Sequence, residues 1–185
     1  MMSPRRGILA LSRRYLSDQK GAAAAEFALV LTLLTIPILN VLDVALYAWQ
    51  RIQVDNAAQM GAQAARATCS YNNQPATINC PGLNSAVQTA VRSTSLGSNV
   101  TSSTAEHYYC TVSGSLVKVW DPPTTPPSDC SQNDSNGNPI GGSASDRPGD
   151  YILITVNHTY TPIFASVSVA SHLASPITRT AWMRL

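Results

Sequence analysis

Apolar residues in this chain form one long block and then recur in short, spaced groups. Residues 27–49 read FALVLTLLTIPILNVLDVALYAW, with Asp43 as the only charged position. A bilayer span needs about 20 predominantly apolar residues, so this block predicts a transmembrane helix. Tyr47 and Trp49 stand at its far end, where aromatic side chains collect at a membrane interface. Pro37 lacks an amide hydrogen and crowds the carbonyl of Leu33, which predicts a kink or local unwinding. Thr32, Thr35 and Asn40 are the neighbours able to satisfy the freed groups. Asp43, near the outer end, is expected to face headgroups. Beyond the block the apolar positions thin out and become helical in spacing. Ile52, Ala57, Met60, Ala64 and Ala67 line one face, and Arg51, Asp55, Gln59, Gln63 and Arg66 the other. Span and stripe together predict one helix from about residue 22 to 68, roughly 70 Å long at 1.5 Å per residue.

The remainder alternates between turn-rich and strand-like stretches. Residues 71–81 read as a loop between Cys69 and Cys80. Residues 83–96 carry Leu83, Ala86, Val87, Ala90 and Val91 at helical spacing, and Gly97 is a stop signal. Residues 100–120 are rich in Thr, Tyr and Val and are split by Ser113-Gly114-Ser115, which predicts a hairpin. Residues 121–149 are dominated by Pro, Ser, Asn, Asp and Gly and read as a long surface loop, of the kind that is functional or disordered. Residues 151–160 alternate as a strand, and 176–185 read as a last one. The predicted fold class is α+β: a long amino-terminal helix, membrane anchor plus amphipathic extension, with a small antiparallel sheet packed on its carboxy-terminal half.

Charge changes the picture at one end only. The chain carries a formal net charge of +2, yet residues 1–20 hold Arg5, Arg6, Arg13, Arg14 and Lys20 against Asp18. The body is therefore slightly acidic and has no basic patch for nucleic acid. The arginines predict a cytoplasmic flank. Between them and the span lies Lys20-Gly21-Ala22-Ala23-Ala24-Ala25-Glu26-Phe27. A secretory signal peptide places its small-residue cleavage site after the apolar region; here the order is reversed. Cleavage after Gly21 would remove the leader and keep the membrane segment, which is the layout of a prepilin. Glycine has no side chain to obstruct the scissile bond. Glu26 would then lie close to the new amino group of Ala22, in the same or a neighbouring subunit, and near the positive end of the helix dipole. A carboxylate at the edge of an apolar span is a functional candidate.

Four cysteines, Cys69, Cys80, Cys110 and Cys130, all follow the span and would reach the oxidising side, where disulfides persist. Four cysteines allow three connectivities; Cys69–Cys80 with Cys110–Cys130 is the preferred one, the second tying the long loop to the strand region. No pair has CxxC spacing and the histidines do not cluster with them, which argues against a metal site. The sequence contains no GxSxG, no HExxH and no phosphate-binding glycine motif. No catalytic residue and no cofactor is therefore expected, and the chain is read as a non-enzyme.

The stretch 21–30, GAAAAEFALV, resembles the start of TadE-like proteins, minor pilins or pseudopilins of bacterial tight-adherence (Flp) pili. Residues 55–67 resemble the Ala-rich helix continuation of that family. Gly149-Asp150-Tyr151 with the strand after it, and Tyr160-Thr161-Pro162, resemble a later strand; residues 70–148 carry no distinctive match. The resemblance implies a pilin-like fold, processing by a prepilin peptidase, and assembly with other pilin subunits and an inner-membrane platform. The expected organisation is a cytoplasmic leader 1–21, a transmembrane helix 22–49 in contact with membrane lipid, and an extracytoplasmic, periplasmic domain 50–185, with entry into an extracellular pilus as a further expectation. Prepilin cleavage falls to Gly21 and Ala22, and assembly to Glu26 and Phe27. The competing reading is a membrane-anchored extracytoplasmic binding protein or adhesin outside any filament.

Overall fold

The computed structural model describes residues 19–69, 71–173 and 175–185. Most of the expected leader, residues 1–18, lies outside the described residues. The elements in chain order are helix α1 (Gln19–Thr68), a short helix α2 (Ala76–Asn79), helix α3 (Leu83–Arg92) and strands β1 (Val100–Val112), β2 (Ser115–Trp120), β3 (Gly149–His158) and β4 (Ile177–Arg184). The four strands form one antiparallel sheet in the order β2-β1-β3-β4. The fold is mixed α+β, a long amino-terminal helix with a small antiparallel sheet.

The chain divides into two compact parts. One contains α1 up to Ala45 together with Pro162–Ser171; the other contains Leu46–Thr161 and His172–Leu185. Nothing in residue spacing marks 162–171 as grouping apart from the strands.

In the larger part, α1 meets the sheet through small residues. Val54, Ala57, Ala58, Gly61, Ala62 and Ala65 are buried, at steps of three and four that place them on one helix face. This corrects the expected stripe: Ile52 and Met60 are exposed, and so is Ala67. Backbone proximity explains the shift. A Cβ built on Gly61 would come within 2.9 Å of Ile154 and 3.0 Å of Val91. The sheet therefore sits too near the helix axis for a bulky side chain, and the larger apolar residues turn away.

Strand β3 supplies the other side of this core. Its even-numbered residues Ile152, Ile154, Val156 and His158 are buried, as the period of two requires for a sheet covered on one face. Helix α3 adds Leu83, Val87 and Val91, and the Gln88 amide of α3 donates to the Ser102 hydroxyl of β1 at 2.9 Å. Tyr47 packs edge-on against Tyr160, with ring centroids 5.1 Å apart.

The 121–148 segment is ordered around a second, smaller core of Tyr108, Cys110, Val119, Cys130 and Ile140. Within it, Asp134 accepts from the amides of Asn136 and Asn138, both at 2.8 Å. These hydrogen bonds hold the carboxyl of Asp134 below the usual range. Gly142 lies so close to Cys130 that an added Cβ would approach its Cβ to 2.7 Å. A bulge between Tyr108 and Tyr109 shifts the β1–β2 register. The extra residue is Val119 of β2, which is buried in this core with Tyr108 and Cys110 of β1.

Candidate functional site

The expected processing junction lies on the first turns of α1. The helix already includes Gly21 and Ala22, and both residues, with Glu26 and Phe27, are exposed. Residues four apart share a helix face, so Glu26 stands on the face of Ala22, and cleavage there would put a new ammonium group one turn from its carboxylate. From Phe27 to Leu46 the large apolar side chains are predominantly exposed. The helix is long and apolar enough to cross a membrane: its most apolar 18-residue window has mean hydropathy 2.2, and only 6% of that window is buried.

Pro37 lies inside a continuous helix. The polar neighbours do not serve the Leu33 carbonyl as expected. Thr32 and Thr35 donate to the carbonyls of Ala28 and Leu31 at 2.8 and 2.7 Å, and Asn40 donates to Ile36 at 2.9 Å. Each bond returns one turn down the helix, the usual reach of a short polar side chain there.

Asn40 and Asp43 have another role. Asn40 also donates from its amide nitrogen to the carbonyl of Val167 at 3.1 Å, and its Oδ1 accepts from the amide of Val169 at 2.7 Å. Asp43 accepts from the amides of Ile163 and Phe164 at 3.0 and 3.1 Å, one on each carboxylate oxygen. It is fully buried. Asp43 therefore does not face headgroups. The expectation treated the helix as a lone cylinder, whereas a later segment of the chain covers this position.

The structure pairs Cys69 with Cys80 and Cys110 with Cys130. The first bridge closes the turn after α1. The second joins β1 to the long loop and lies in its core.

Two buried carboxyl groups were missed by sequence reasoning. Glu106 on β1 accepts from the amides of Ala76 and Thr77, both at 2.7 Å, and from the Thr77 hydroxyl. It thereby satisfies the free amides at the start of α2, which explains why a short helix forms inside the expected 71–81 loop. Asp150 on β3 is buried as well, and neither of its carboxyl oxygens has a hydrogen-bond donor. Burial, with the Glu106 carboxylate beside it, pushes the Asp150 carboxyl up to about 8. A protonated Asp150 can donate to Glu106, which turns repulsion between two carboxylates into a hydrogen bond. Nothing in residue spacing signals this pair; only the β1–β3 register brings them together.

On the outer face of the sheet, Tyr109 contacts Tyr151 and Trp182, with centroids 5.4 and 5.3 Å apart. A groove of about 580 Å³ borders this cluster, lined by Tyr109, Tyr151, Leu116, Arg147 and Arg184 among others. His107 and Lys118 both contact Asp121 nearby. Burial opposes ionisation of Asp121, but the hydrogen bonds from Lys118 and His107 outweigh it and hold its carboxyl low. Among the described residues, no group of three or more His, Cys, Asp or Glu side chains is placed to hold a metal ion.

Comparison with known proteins places the amino-terminal part alone. No curated protein and no solved structure matches the chain. Residues 21–63 match the family model described as TadE-like protein, a match running from the small residues before Glu26, through the apolar helix, to the small-residue face packed on the sheet. The similarity to TadE-like proteins is thus carried by the amino-terminal region of the chain.

Proposed function

We propose that this chain is a minor pilin or pseudopilin acting in the assembly of a tight-adherence pilus, by priming it or by entering it. The observation that carries the reading is the junction Gly21-Ala22…Glu26-Phe27 at the start of an exposed apolar helix, within the TadE-like segment. A prepilin peptidase acts after Gly21 at the cytoplasmic face, α1 holds the mature protein in the inner membrane, and the sheet-bearing part lies in the periplasm. Glu26 neutralises the new amino group of Ala22 within an apolar bundle of helices formed with other pilin subunits and the assembly platform. No enzymatic activity belongs to this reading. Mass spectrometry of the membrane-extracted protein tests it: the mature chain begins at Ala22. A chain beginning at Met1, or after Ala64, overturns it.

One observation favours the second reading, a membrane-anchored binding protein. The aromatic cluster Tyr109, Tyr151 and Trp182 beside a groove with two arginines is suited to a ligand. That reading needs no cleavage at Gly21, so the same measurement separates the two.

A further inference from the structure

The segment Pro162–Ser171 combines features that a water-facing loop does not. It contains no charged side chain. Three of its apolar side chains are exposed, Ile163 at 67%, Val167 at 46% and Val169 at 59%, while Phe164 is half-buried and Ala170 buried. Most of its amides, by contrast, are bonded, and the carbonyls of Phe164, Val167 and Ser168 accept hydrogen bonds. Ile163 and Phe164 donate to Asp43, and Val169 donates to Asn40. Val167 and Ser168 donate to the Phe164 carbonyl, Ser171 to the Ser168 carbonyl, and Ala170 to the Ser168 hydroxyl. The Ser168 side chain also reaches Asp43. At least seven of the nine amides from Ile163 to Ser171 therefore have an acceptor. In hydrocarbon an unsatisfied backbone group costs several kcal/mol, and irregular backbone is tolerated at that depth only where protein or water covers its polar groups, as α1 covers this segment through Asn40 and Asp43. In water no such provision is needed, and exposed Ile and Val would be a liability.

The two polar residues that bind this loop lie within the apolar block. Counting from Phe27 at 1.5 Å per residue, Asn40 and Asp43 lie about 20 and 24 Å along the helix. The hydrocarbon core is about 30 Å thick. A charged or amide side chain at that depth is costly unless it is partnered, and here every oxygen of Asp43 is used. The exposed apolar surface of the loop is continuous in kind with Val41, Leu42 and Val44, which are exposed on the helix in the same compact part.

We propose that Pro162–Ser171 is a second membrane-embedded element, a loop seated in the hydrocarbon of the outer leaflet and held to α1 by Asn40 and Asp43. The proposal rests on the membrane reading of residues 27–49 given above. The occupant of its apolar face is lipid. The chain thus holds the membrane with a span and a wedge, and the wedge is supplied by sequence some 120 residues downstream of the helix it grips.

The test uses the full chain reconstituted into vesicles of phosphatidylethanolamine and phosphatidylglycerol. A fluorescent amino acid replaces Val169, Leu33 or Leu116 in separate samples, and quenching is read from acyl-chain nitroxide lipids and from aqueous iodide. The labels at Val169 and Leu33 are expected to be quenched by the lipid nitroxide and shielded from iodide, with the reverse at Leu116. Asp43→Ala is expected to lower the lipid quenching at Val169 several-fold and leave Leu33 unchanged. Lipid quenching at Leu33 with iodide quenching at Val169 overturns the embedded loop and leaves the span standing. Shielding of Val169 from both quenchers assigns its face to protein and overturns the lipid assignment. No lipid quenching at Leu33 overturns the span and the loop together. An unchanged Val169 signal in Asp43→Ala overturns the anchoring role of Asp43.

Discussion

The two halves of α1 are built from different amino acids for different surroundings. Before Ala45 the helix carries Leu, Ile, Val and Phe, and most of these are exposed. After Leu46 it carries Ala and Gly, and one face of these is buried against strands. Apolar content alone does not distinguish a helix that meets its own sheet from one that meets something outside the chain; side-chain size does. A helix packed on a sheet uses small residues to bring backbones close, as Gly61 does against Ile154. A helix facing hydrocarbon has no partner backbone to approach and fills its surface with large side chains. The polar residues follow the same division. In the sheet-bearing part Glu106 satisfies amides of a local turn, thirty residues away in sequence. In the helix-bearing part Asp43 satisfies amides 120 and 121 residues away.

That contrast can be attacked at several points. The largest effect is expected from the second core. Replacing Cys110 and Cys130 together by alanine removes a bridge of sequence separation 20 and should lower unfolding stability by about 3 kcal/mol on the chain-entropy estimate. Denaturant unfolding of the sheet signal in detergent checks this, and an unchanged midpoint would show that the 121–148 segment is held by its own hydrogen bonds.

A paired substitution probes the helix itself. Gly61→Ala puts a methyl group 2.9 Å from Ile154 and should cost about 2 kcal/mol through overpacking. Leu33→Ala, which removes more atoms from an exposed position, should change the same unfolding curve by less than about 0.5 kcal/mol. Equal losses at the two positions would erase the distinction between the halves.

At the start of the exposed half, Glu26→Ala should leave the amount of membrane-inserted protein unchanged, since the apolar block is intact. Recovery in pilus or assembly-complex fractions should drop about tenfold, equivalent to about 1.4 kcal/mol. Quantitative immunoblotting of the two fractions reads both numbers, and normal recovery would remove Glu26 from assembly.

The remaining effect concerns Asp150 and depends on pH. Its carboxyl is raised from 3.8 to about 8 in the folded protein. Between those values the unfolded chain ionises while the folded chain stays protonated. This group therefore lowers stability as pH rises from about 4 to about 8, and has no further effect above that. Asp150→Asn keeps a donor for Glu106 and cannot ionise. It should match the wild type near pH 4 and exceed it by a margin that grows as pH rises to 8. Thermal melting at the two pH values decides; a constant difference would mean that Asp150 is ionised in the fold.

The sequence by itself determined the elements and the class. The 27–49 block, the hairpin at Ser113–Ser115 and the alternation of 151–160 each state their conformation locally, because period and turn chemistry are properties of neighbouring residues. Strand and helix ends followed to within a few positions. Tertiary structure alone decided which helix face is buried, since Ile52 and Met60 looked like the better stripe until the closeness of Ile154 excluded them. It also decided the fate of Asp43, Asn40, Glu106 and Asp150. A buried carboxyl or amide is defined by the donor it meets, and those donors come from segments brought near by the fold: a strand register for Asp150, a turn for Glu106, and the loop 162–171 for Asn40 and Asp43. No spacing along the chain encodes such a meeting, because hydrogen bonds depend on separation in space and are indifferent to separation in sequence.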